Sequence, residues 1–287
     1  MKKRALLISL VLPISLILIS FVCALTINVD TNDLACVSGT HQSDPYSVVY
    51  CNIQDAIDDA SDSDTIEVAS GTYTPVDLSW DGYGFLRINK PITLKGAGSA
   101  NTIIDGQHLY TVTRSGTTCT VDTNCISGKE ICNQDTHKCQ EPHSTCLWLE
   151  SSNVNLESLT IKGCDWGIRV SNIYVPTVTE ISDLTFNDVT VTDNYGHGIV
   201  FENIISKRVE FTDCNANANG DRGIYLNQGS IAEDFTLTNT NANDNWAKGF
   251  NCQGTLNRLT INGGTFNNNT GGWNYEHVWN LFGAGLD

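Results

Sequence analysis

Basic side chains are scarce in this chain of 287 residues, which has 16 Lys and Arg against 32 Asp and Glu and a formal net charge of −16 at pH 7. Three of the basic residues, Lys2, Lys3 and Arg4, come at the start, so the rest of the chain is more acidic still. A surface of this charge repels phosphate backbones, which argues against nucleic acid as a partner. The acidity suits a salty habitat or solubility alone and does not choose between them.

Close Cys-x-x-Cys pairs are absent as well, although the chain has 11 cysteines. Such pairs are typical of structural zinc sites, so their absence disfavours zinc. Disulfides are the alternative, and they are typical of proteins that leave the cytoplasm.

Residues 1–24 indicate export. Their basic start and the apolar run from Ala5 to Ala24 have the pattern of a signal peptide, and Val22 and Ala24 fit cleavage after Ala24. Because the run is about long enough to span a bilayer, a retained N-terminal anchor is the alternative, and it is the only membrane link that we expect. Both interpretations predict a secreted or cell-surface protein.

Residues 108–147 form a Cys-rich segment that we expect to be a disulfide-stapled loop. Its cysteines have five, six and six residues between them. Alternate pairing, Cys119 with Cys132 and Cys125 with Cys139, is our first choice among the three connectivities that four cysteines allow. A loop of this kind needs disulfides because it has no core of its own.

Four further cysteines, besides Cys119, Cys125, Cys132 and Cys139, are candidates for other disulfides. We expect Cys36 and Cys51 to staple the N-terminal end of the fold, whereas a pair between Cys146 and Cys164 is left open.

The second half of the chain repeats about every 25 residues. Aligned on their glycines, the units are "LTFNDVTVTDNYGHGIVFEN", "VEFTDCNANANGDRGIYLNQ", "FTLTNTNANDNWAKGFNCQG" and "LTINGGTFNNNTGG". The glycines are Gly198, Gly223, Gly249 and Gly272. Apolar residues alternate within each unit, which predicts three short strands per unit. Strands that stack on their equivalents in the next unit predict an all-β solenoid, a parallel β-helix.

An asparagine stands four residues before each of these glycines, at Asn194, Asn219, Asn245 and Asn268. Amides stacked in register can hydrogen-bond along the solenoid, and Asn tolerates the left-handed conformation of a sharp corner. We therefore predict an asparagine ladder with a structural role.

The two ends of the solenoid are expected to be covered, because an open coil exposes strand edges. In "CNIQDAIDDAS", Ile53, Ala56 and Ile57 have helical spacing, and Asn52 is a suitable N-cap, which predicts an N-terminal capping helix. We assign residues 25–50 to an N-terminal extension, 51–272 to the β-helix and 273–287 to a C-terminal cap or truncated tail. A second helix is predicted at 275–282.

The stretch "CNIQDAIDDASDSDTIEVASGTYT" through "INKPITLKGAGSANTIIDG" resembles the opening of pectin lyase-like right-handed β-helix proteins, the group of carbohydrate-binding and sugar-hydrolase repeat proteins. With the downstream units the resemblance covers most of residues 51–272. It implies a right-handed parallel β-helix. For function it implies only a range, which includes polysaccharide lyases, hydrolases, epimerases and adhesins.

The residue before each repeat glycine differs from unit to unit and points outward. Equivalent positions in stacked coils lie about 4.8 Å apart, so these residues would form a column with neighbours on the adjoining strand. The predicted carbohydrate-binding residues are Trp166, Arg169, Arg222, Tyr225 and Lys248. A solvated edge without a ligand would look the same, because polar residues are expected wherever a turn faces water.

An enzymatic alternative is β-elimination of a uronate polymer. Arg222 or Lys248 would remove the proton and His197 would assist, while a cation stabilises the developing charge. No cofactor is required for binding, and calcium is the one that a lyase would use. Its candidate ligands are Asp193, Asp221 and Asp244.

Polygalacturonase-like hydrolases of the same superfamily carry Asn-x-Asp, Asp-Asp, Gly-His-Gly and Arg-x-Lys in that order. This chain has "GHG" around His197, but its adjacent Asp58 and Asp59 fall in the capping helix and no Arg-x-Lys follows. The hydrolase mechanism is therefore disfavoured.

The sequence thus predicts an exported β-helix protein that binds a polysaccharide, a cell-surface glycan or another surface partner along its outer face. A polysaccharide lyase is the first alternative. A structural spacer of the cell envelope is the second.

Overall fold

The computed structural model of the protein describes residues 24–39, 42, 44–74, 84–107, 131–133, 138–140, 145–172 and 179–270. The predicted signal peptide before Ala24, the predicted helix at 275–282 and Gly272 lie outside the described residues. Within the described ranges, no helix is long and apolar enough to cross a membrane.

The described residues form one helix and a series of short strands. The helix is α1 (Ile53–Asp59). The strands are β1 (Thr26–Val29), β2 (Val49–Tyr50), β3 (Thr65–Val68), β4 (Gly71–Tyr73), β5 (Gly84–Ile88), β6 (Thr93–Gly96), β7 (Thr102–Asp105), β8 (Ile131–Asn133), β9 (Lys138–Gln140), β10 (Thr145–Leu149), β11 (Val154–Lys162), β12 (Trp166–Val170), β13 (Thr179–Glu180), β14 (Leu184–Thr192), β15 (Ile199–Phe201), β16 (Ile204–Thr212), β17 (Ile224–Leu226), β18 (Ile231–Thr238), β19 (Phe250–Cys252) and β20 (Thr255–Asn262).

Two long parallel sheets run along the solenoid. The 12-stranded sheet has the central order β2-β1-β3-β6-β11-β14-β16-β18-β20, and the 6-stranded sheet has the order β19-β17-β15-β12-β10-β5. Each step along a sheet advances one coil: Leu184 pairs with Val209, which pairs with Phe235. Parallel pairing of successive coils confirms the predicted parallel β-helix.

Left-handed residues bend the chain at regular intervals. In one coil they are Asp183, Asp188 and Asp193, five residues apart, with φ of 58°, 53° and 55°. Asp and Asn visit this conformation more readily than most residues. Equivalent residues of the next two coils are also left-handed: Arg208, Asp213, Ala218, Asp234, Asn239 and Asp244. In β14 such a residue, Asp188, bends the strand without ending it, so the first two predicted strands of that unit form one bent strand. In the next two units the second predicted strand is only an isolated bridge, at Asn215 and Asn241.

Inward side chains stack on their equivalents from coil to coil. The rings of Phe186 and Phe211 lie 4.3 Å apart between centroids, and those of Phe211 and Phe235 lie 5.4 Å apart. All three are buried. Full burial of such a side chain stabilises the fold by about 1.5–3 kcal/mol, so the apolar stacks hold the coils together.

The predicted capping helix is present as α1. The Asn52 side chain accepts hydrogen bonds from the backbone amides of Gln54 (2.7 Å) and Asp55 (3.4 Å), as an N-cap should. Ile53 and Ile57 are fully buried on the face that covers the first coil.

The N-terminal extension contributes to the solenoid. β1 pairs in parallel with β3, from Thr26 opposite Thr65 to Val29 opposite Val68. The boundary predicted at residue 51 therefore does not separate two structural units. The four residues of β1 are too few to show a repeat in the sequence.

Two disulfides are present among the described cysteines. Cys36 bonds to Cys51, as predicted, and Cys146 bonds to Cys164, the pair that the sequence left open. Cys214 is a buried free thiol, and burial raises the pKa of this thiol to about 11.

The Cys-rich segment is described only in part. β8 and β9 form an antiparallel pair in which Cys132 lies opposite Cys139. Cys119 and Cys125 lie outside the described residues, so the alternate pairing stays a prediction.

Candidate functional site

A buried asparagine ladder fixes one corner of each coil. The side-chain amide of Asn194 donates to Oδ1 of Asn219 (3.0 Å), Asn219 donates to Asn245 (3.1 Å), and Asn245 donates to Asn269 (3.1 Å). Each Oδ1 also accepts the backbone N–H of the preceding Asn. The predicted ladder is therefore confirmed.

The structure corrects two details of the ladder. Its last member is Asn269 and not Asn268, which instead occupies the left-handed corner with φ 56°. The left-handed residue of each corner is the one before the ladder Asn, for example Asp193 before Asn194. The residue before each ladder Asn therefore makes the turn, and the side chain of the Asn itself points into the solenoid.

The ladder explains the repeat glycines. A Cβ on Gly198 would lie 2.8 Å from Asn219 Nδ2, and a Cβ on Gly223 would lie 2.8 Å from Asn245 Nδ2. Real Cβ contacts are not this short, so only glycine fits beside the amide of the next coil. Between the Asn and the glycine, a short corner loop is left that faces outward.

The corner loops form a groove of about 710 Å³. The residue after the ladder Asn is Tyr195 in one coil, Gly220 in the next and Trp246 in the third. Tyr195 is 60% exposed and Trp246 is 50% exposed, although both are large and apolar. The described lining residues are Asp165, Trp166, Asp193, Asn194, Tyr195, Gly196, His197, Ala218, Gly220, Asp221 and Trp246.

Gly220 keeps the space between the two exposed rings open. A Cβ at this position would collide with the backbone oxygen of Tyr195. Since Tyr195 and Trp246 occupy equivalent positions two coils apart, their backbones are separated by roughly 10 Å. The groove is therefore a notch with an aromatic ring on either side.

Asp221 joins two of the column residues. Its Oδ2 lies 2.9 Å from Arg222 Nη1 and 3.4 Å from His197 Nδ1. Burial raises the pKa of the Asp221 carboxyl, although the charge of Arg222 opposes this shift. The groove thus contains a carboxylate held by one cation and one imidazole.

Aromatic rings and guanidinium groups stack beside the groove. The His197 ring lies 5.6 Å from Trp166 and 4.8 Å from Tyr225 between centroids. Arg222 lies over Tyr225 at 4.3 Å, and Arg169 lies over Trp166 at 5.0 Å. Such cation–π contacts fix the orientation of the column side chains.

The predicted column exists, but its members have different surroundings. Trp166 and His197 line the groove. Arg222 reaches it only through Asp221, and Arg169 pairs with Glu202 at 2.5 Å.

Tyr225 is not an outward ligand contact. It is 6% exposed, and its hydroxyl is 2.7 Å from Asn227 Oδ1 and 2.6 Å from Gln253 Oε1. Strand alternation places it on the outer face of its sheet, but that face is buried here, as it is at Val200 and Asn251. Tyr225 supports His197 and Arg222 instead.

Lys248 differs from the other basic side chains that the structure describes. Each of the others has an ion pair or a hydrogen bond to a backbone carbonyl, whereas Lys248 has neither within the described part of the chain. Desolvation and the neighbouring Arg222 charge lower the pKa of Lys248. It is not among the groove-lining residues described above.

The candidate calcium ligands do not come together in one cluster. Asp193 and Asp221 line the groove, but Asp244 does not. No group of three His, Cys, Asp or Glu side chains in the described ranges is close enough to hold a metal ion. A calcium site at these residues stays a prediction without a ligand set in the described structure.

Three groove residues were not predicted from the sequence: Asp165, Tyr195 and Trp246. The two aromatic residues share a detectable feature, since each directly follows a ladder Asn, as in "NYG" and "NWA". Asp165 lies in a corner that is one residue shorter, where "CDWG" stands in place of a five-residue stretch such as "NYGHG". An alignment on the asparagines therefore does not reveal it.

No protein-family model and no curated protein sequence matches the chain. Among solved structures it is similar to pectate lyase Pel9A, with 15% identity and a TM-score of 0.54 over 90% of this chain and 56% of that chain. It is also similar to a pectin methylesterase in complex with a hexasaccharide, with 13% identity and a TM-score of 0.37 over 83% of this chain and 67% of that chain. A third is the A-module of mannuronan C-5 epimerase AlgE6 from Azotobacter vinelandii, with 13% identity and a TM-score of 0.32 over 85% of this chain and 77% of that chain.

The likeness to the pectate lyase shows the fold. The chain is a right-handed parallel β-helix, the same fold as that pectate lyase. It spans 56% of the length of the pectate lyase that it matches.

Proposed function

We propose that the protein binds a carbohydrate chain in the groove between Tyr195 and Trp246. The observation that carries this proposal is the exposure of both rings, 60% and 50%, on either side of Gly220. Exposed aromatic residues around a concave site mark a binding surface.

Sugars suit this combination of groups. The C–H face of a pyranose ring is apolar and can lie on an aromatic ring, while its hydroxyls need hydrogen-bond acceptors. Trp166 adds a third ring to the groove, and Asp193 and Asp221 supply carboxylate oxygens. The pectate lyase that shares the fold is named for a polysaccharide, which supports the same class of ligand.

The proposal includes export. Two disulfides support an oxidising compartment, as do the basic and apolar residues at the start of the sequence.

Binding is tested by affinity electrophoresis against a panel of soluble polymers: glucomannan, xylan, dextran, polygalacturonate and alginate. At least one should retard the wild type, and Trp246→Ala should weaken that binding about tenfold, because one stacking surface is lost. Leu34→Ala is the control, since Leu34 is an exposed apolar residue that lies far from Trp246 along the chain. Absence of retardation by every polymer, or equal binding by Trp246→Ala, would overturn the proposal.

A second candidate function is β-elimination of a uronate polymer, favoured by Lys248. A lysine without an acidic partner in the described part of the chain, and with a lowered pKa, loses its proton more readily, as a general base must. Polygalacturonate or alginate incubated with the protein and calcium would then give the ultraviolet absorbance of an unsaturated product. Lys248→Met should abolish that absorbance while the unfolding midpoint stays near that of the wild type. Absence of product from the wild type would exclude this function for these polymers.

A further inference from the structure

We infer that the groove selects sugar chains that carry no carboxylate, a specificity that rests on the carbohydrate binding proposed above. The pectate lyase of the same fold is named for an acidic polymer. The groove of this chain has a different charge pattern.

Three carboxylates line the groove, from Asp165, Asp193 and Asp221. The described lining residues include no Lys or Arg. A uronate carboxylate in the notch would lie beside these acids, and like charges a few ångströms apart repel each other. Sugar hydroxyls, in contrast, donate charge-assisted hydrogen bonds to carboxylates.

Among the basic residues of the column, Arg222 offsets only the charge of Asp221. Arg222 gives its Nη1 to Asp221 and lies over the Tyr225 ring. Arg169 is paired with Glu202 on the adjoining strand. Arg222 and Arg169, which the sequence suggested for binding, are therefore already paired with acidic side chains. Lys248 is not among the residues that line the groove.

The aromatic residues define what the groove accepts. Tyr195 and Trp246 offer exposed rings, Trp166 adds a partly buried ring, and Gly220 has no side chain between the first two. An uncharged pyranose can use the rings and the acids together. A uronate gains the same stacking but meets the repulsion.

A matched pair of polymers tests this specificity. The polymer that binds best in the panel is converted to its partner, by oxidation of C6 if it is neutral or by carboxyl reduction if it is a polyuronate. The neutral member should bind at least about tenfold more tightly at low salt. Added salt should narrow the difference, because it screens charge repulsion. Equal or tighter binding of the uronate member would overturn the inference.

Asp193→Asn and Asp244→Asn form a matched pair of variants. Both residues are exposed and left-handed, with φ of 55° and 56°, and Asn adopts this conformation readily. Only Asp193 lines the groove. Asp193→Asn should therefore raise affinity for the uronate member about fivefold, whereas Asp244→Asn should leave it unchanged.

The possible failures differ from one another. If no polymer binds, carbohydrate binding itself is wrong. If binding depends on Trp246 but the uronate member is preferred, or both Asn variants behave alike, carbohydrate binding stands and the proposed specificity falls.

Discussion

Two adjacent positions in the corner of each coil behave in opposite ways. The ladder position is Asn in three consecutive coils, whereas the next residue is Tyr195, Gly220 or Trp246. The ladder amides are buried and bond to each other, so every coil needs the same group. The next residue faces solvent, so the fold leaves it free to vary. One position maintains the solenoid, and its neighbour is available for a ligand.

The sharpest test of this contrast compares Asn219→Ala with Tyr195→Ala. Without the Asn219 side chain, the backbone N–H of Asn194 loses its acceptor in a buried site, and the side-chain amide of Asn194 keeps only the Thr192 carbonyl. The free energy of unfolding should fall by about 3 kcal/mol, whereas Tyr195→Ala should change it by less than about 0.5 kcal/mol. Urea unfolding measures both, and similar losses would remove the distinction between the two positions.

A weaker effect is expected from two glycines in the corner loops of adjacent coils. A Cβ on Gly223 would lie 2.6 Å from the Ala216 oxygen and 2.8 Å from Asn245 Nδ2, both of which are held by the coil stack. Gly223→Ala should therefore destabilise the protein by about 2 kcal/mol. Gly196→Ala is the control, because the nearest atoms to its Cβ are 3.0 Å away. If Gly196→Ala costs as much in the same unfolding assay, the ladder is not the reason for the repeat glycine.

The smallest effect concerns the charge in the groove. Burial raises the pKa of Asp221 in the folded protein above its ordinary value. Its contribution to stability is therefore fully present below the ordinary pKa of Asp and is lost as pH rises through the raised pKa. Asp221→Asn does not titrate, so its stability relative to the wild type should increase as pH rises from below the ordinary pKa of Asp, about 3.9, through the raised pKa. Unfolding midpoints across this range give the difference, and a flat or falling trend would contradict the predicted shift.

The fold was predictable because its constraints repeat. Alternating apolar residues, regular glycines and aligned asparagines indicate stacked coils without any long-range information. The ladder was misplaced only in the last coil, where Asn268 and Asn269 are adjacent and the letters do not say which one turns the corner.

The candidate site was less predictable, because it depends on what lies above and beside each residue. Alternation gives the outward direction of Tyr225 but not the burial of that face. Likewise, the sequence shows that Arg222 is basic but not that Asp221 holds it. Tyr195 and Trp246 have no charge and no motif, so only the coil register shows that they occupy equivalent positions on either side of Gly220.

The asparagine ladder also has a direction. In the bonds between ladder side chains, the amides of Asn194, Asn219 and Asn245 each donate to the Asn of the later coil, and the first acceptor, Asn194 Oδ1, receives the backbone N–H of Cys164. Aligned in this way, the amides polarise one another, so each bond is stronger than it would be alone. A row of this kind is a small dipole inside the solenoid, with its negative end toward Cys164 and its positive end toward Asn269.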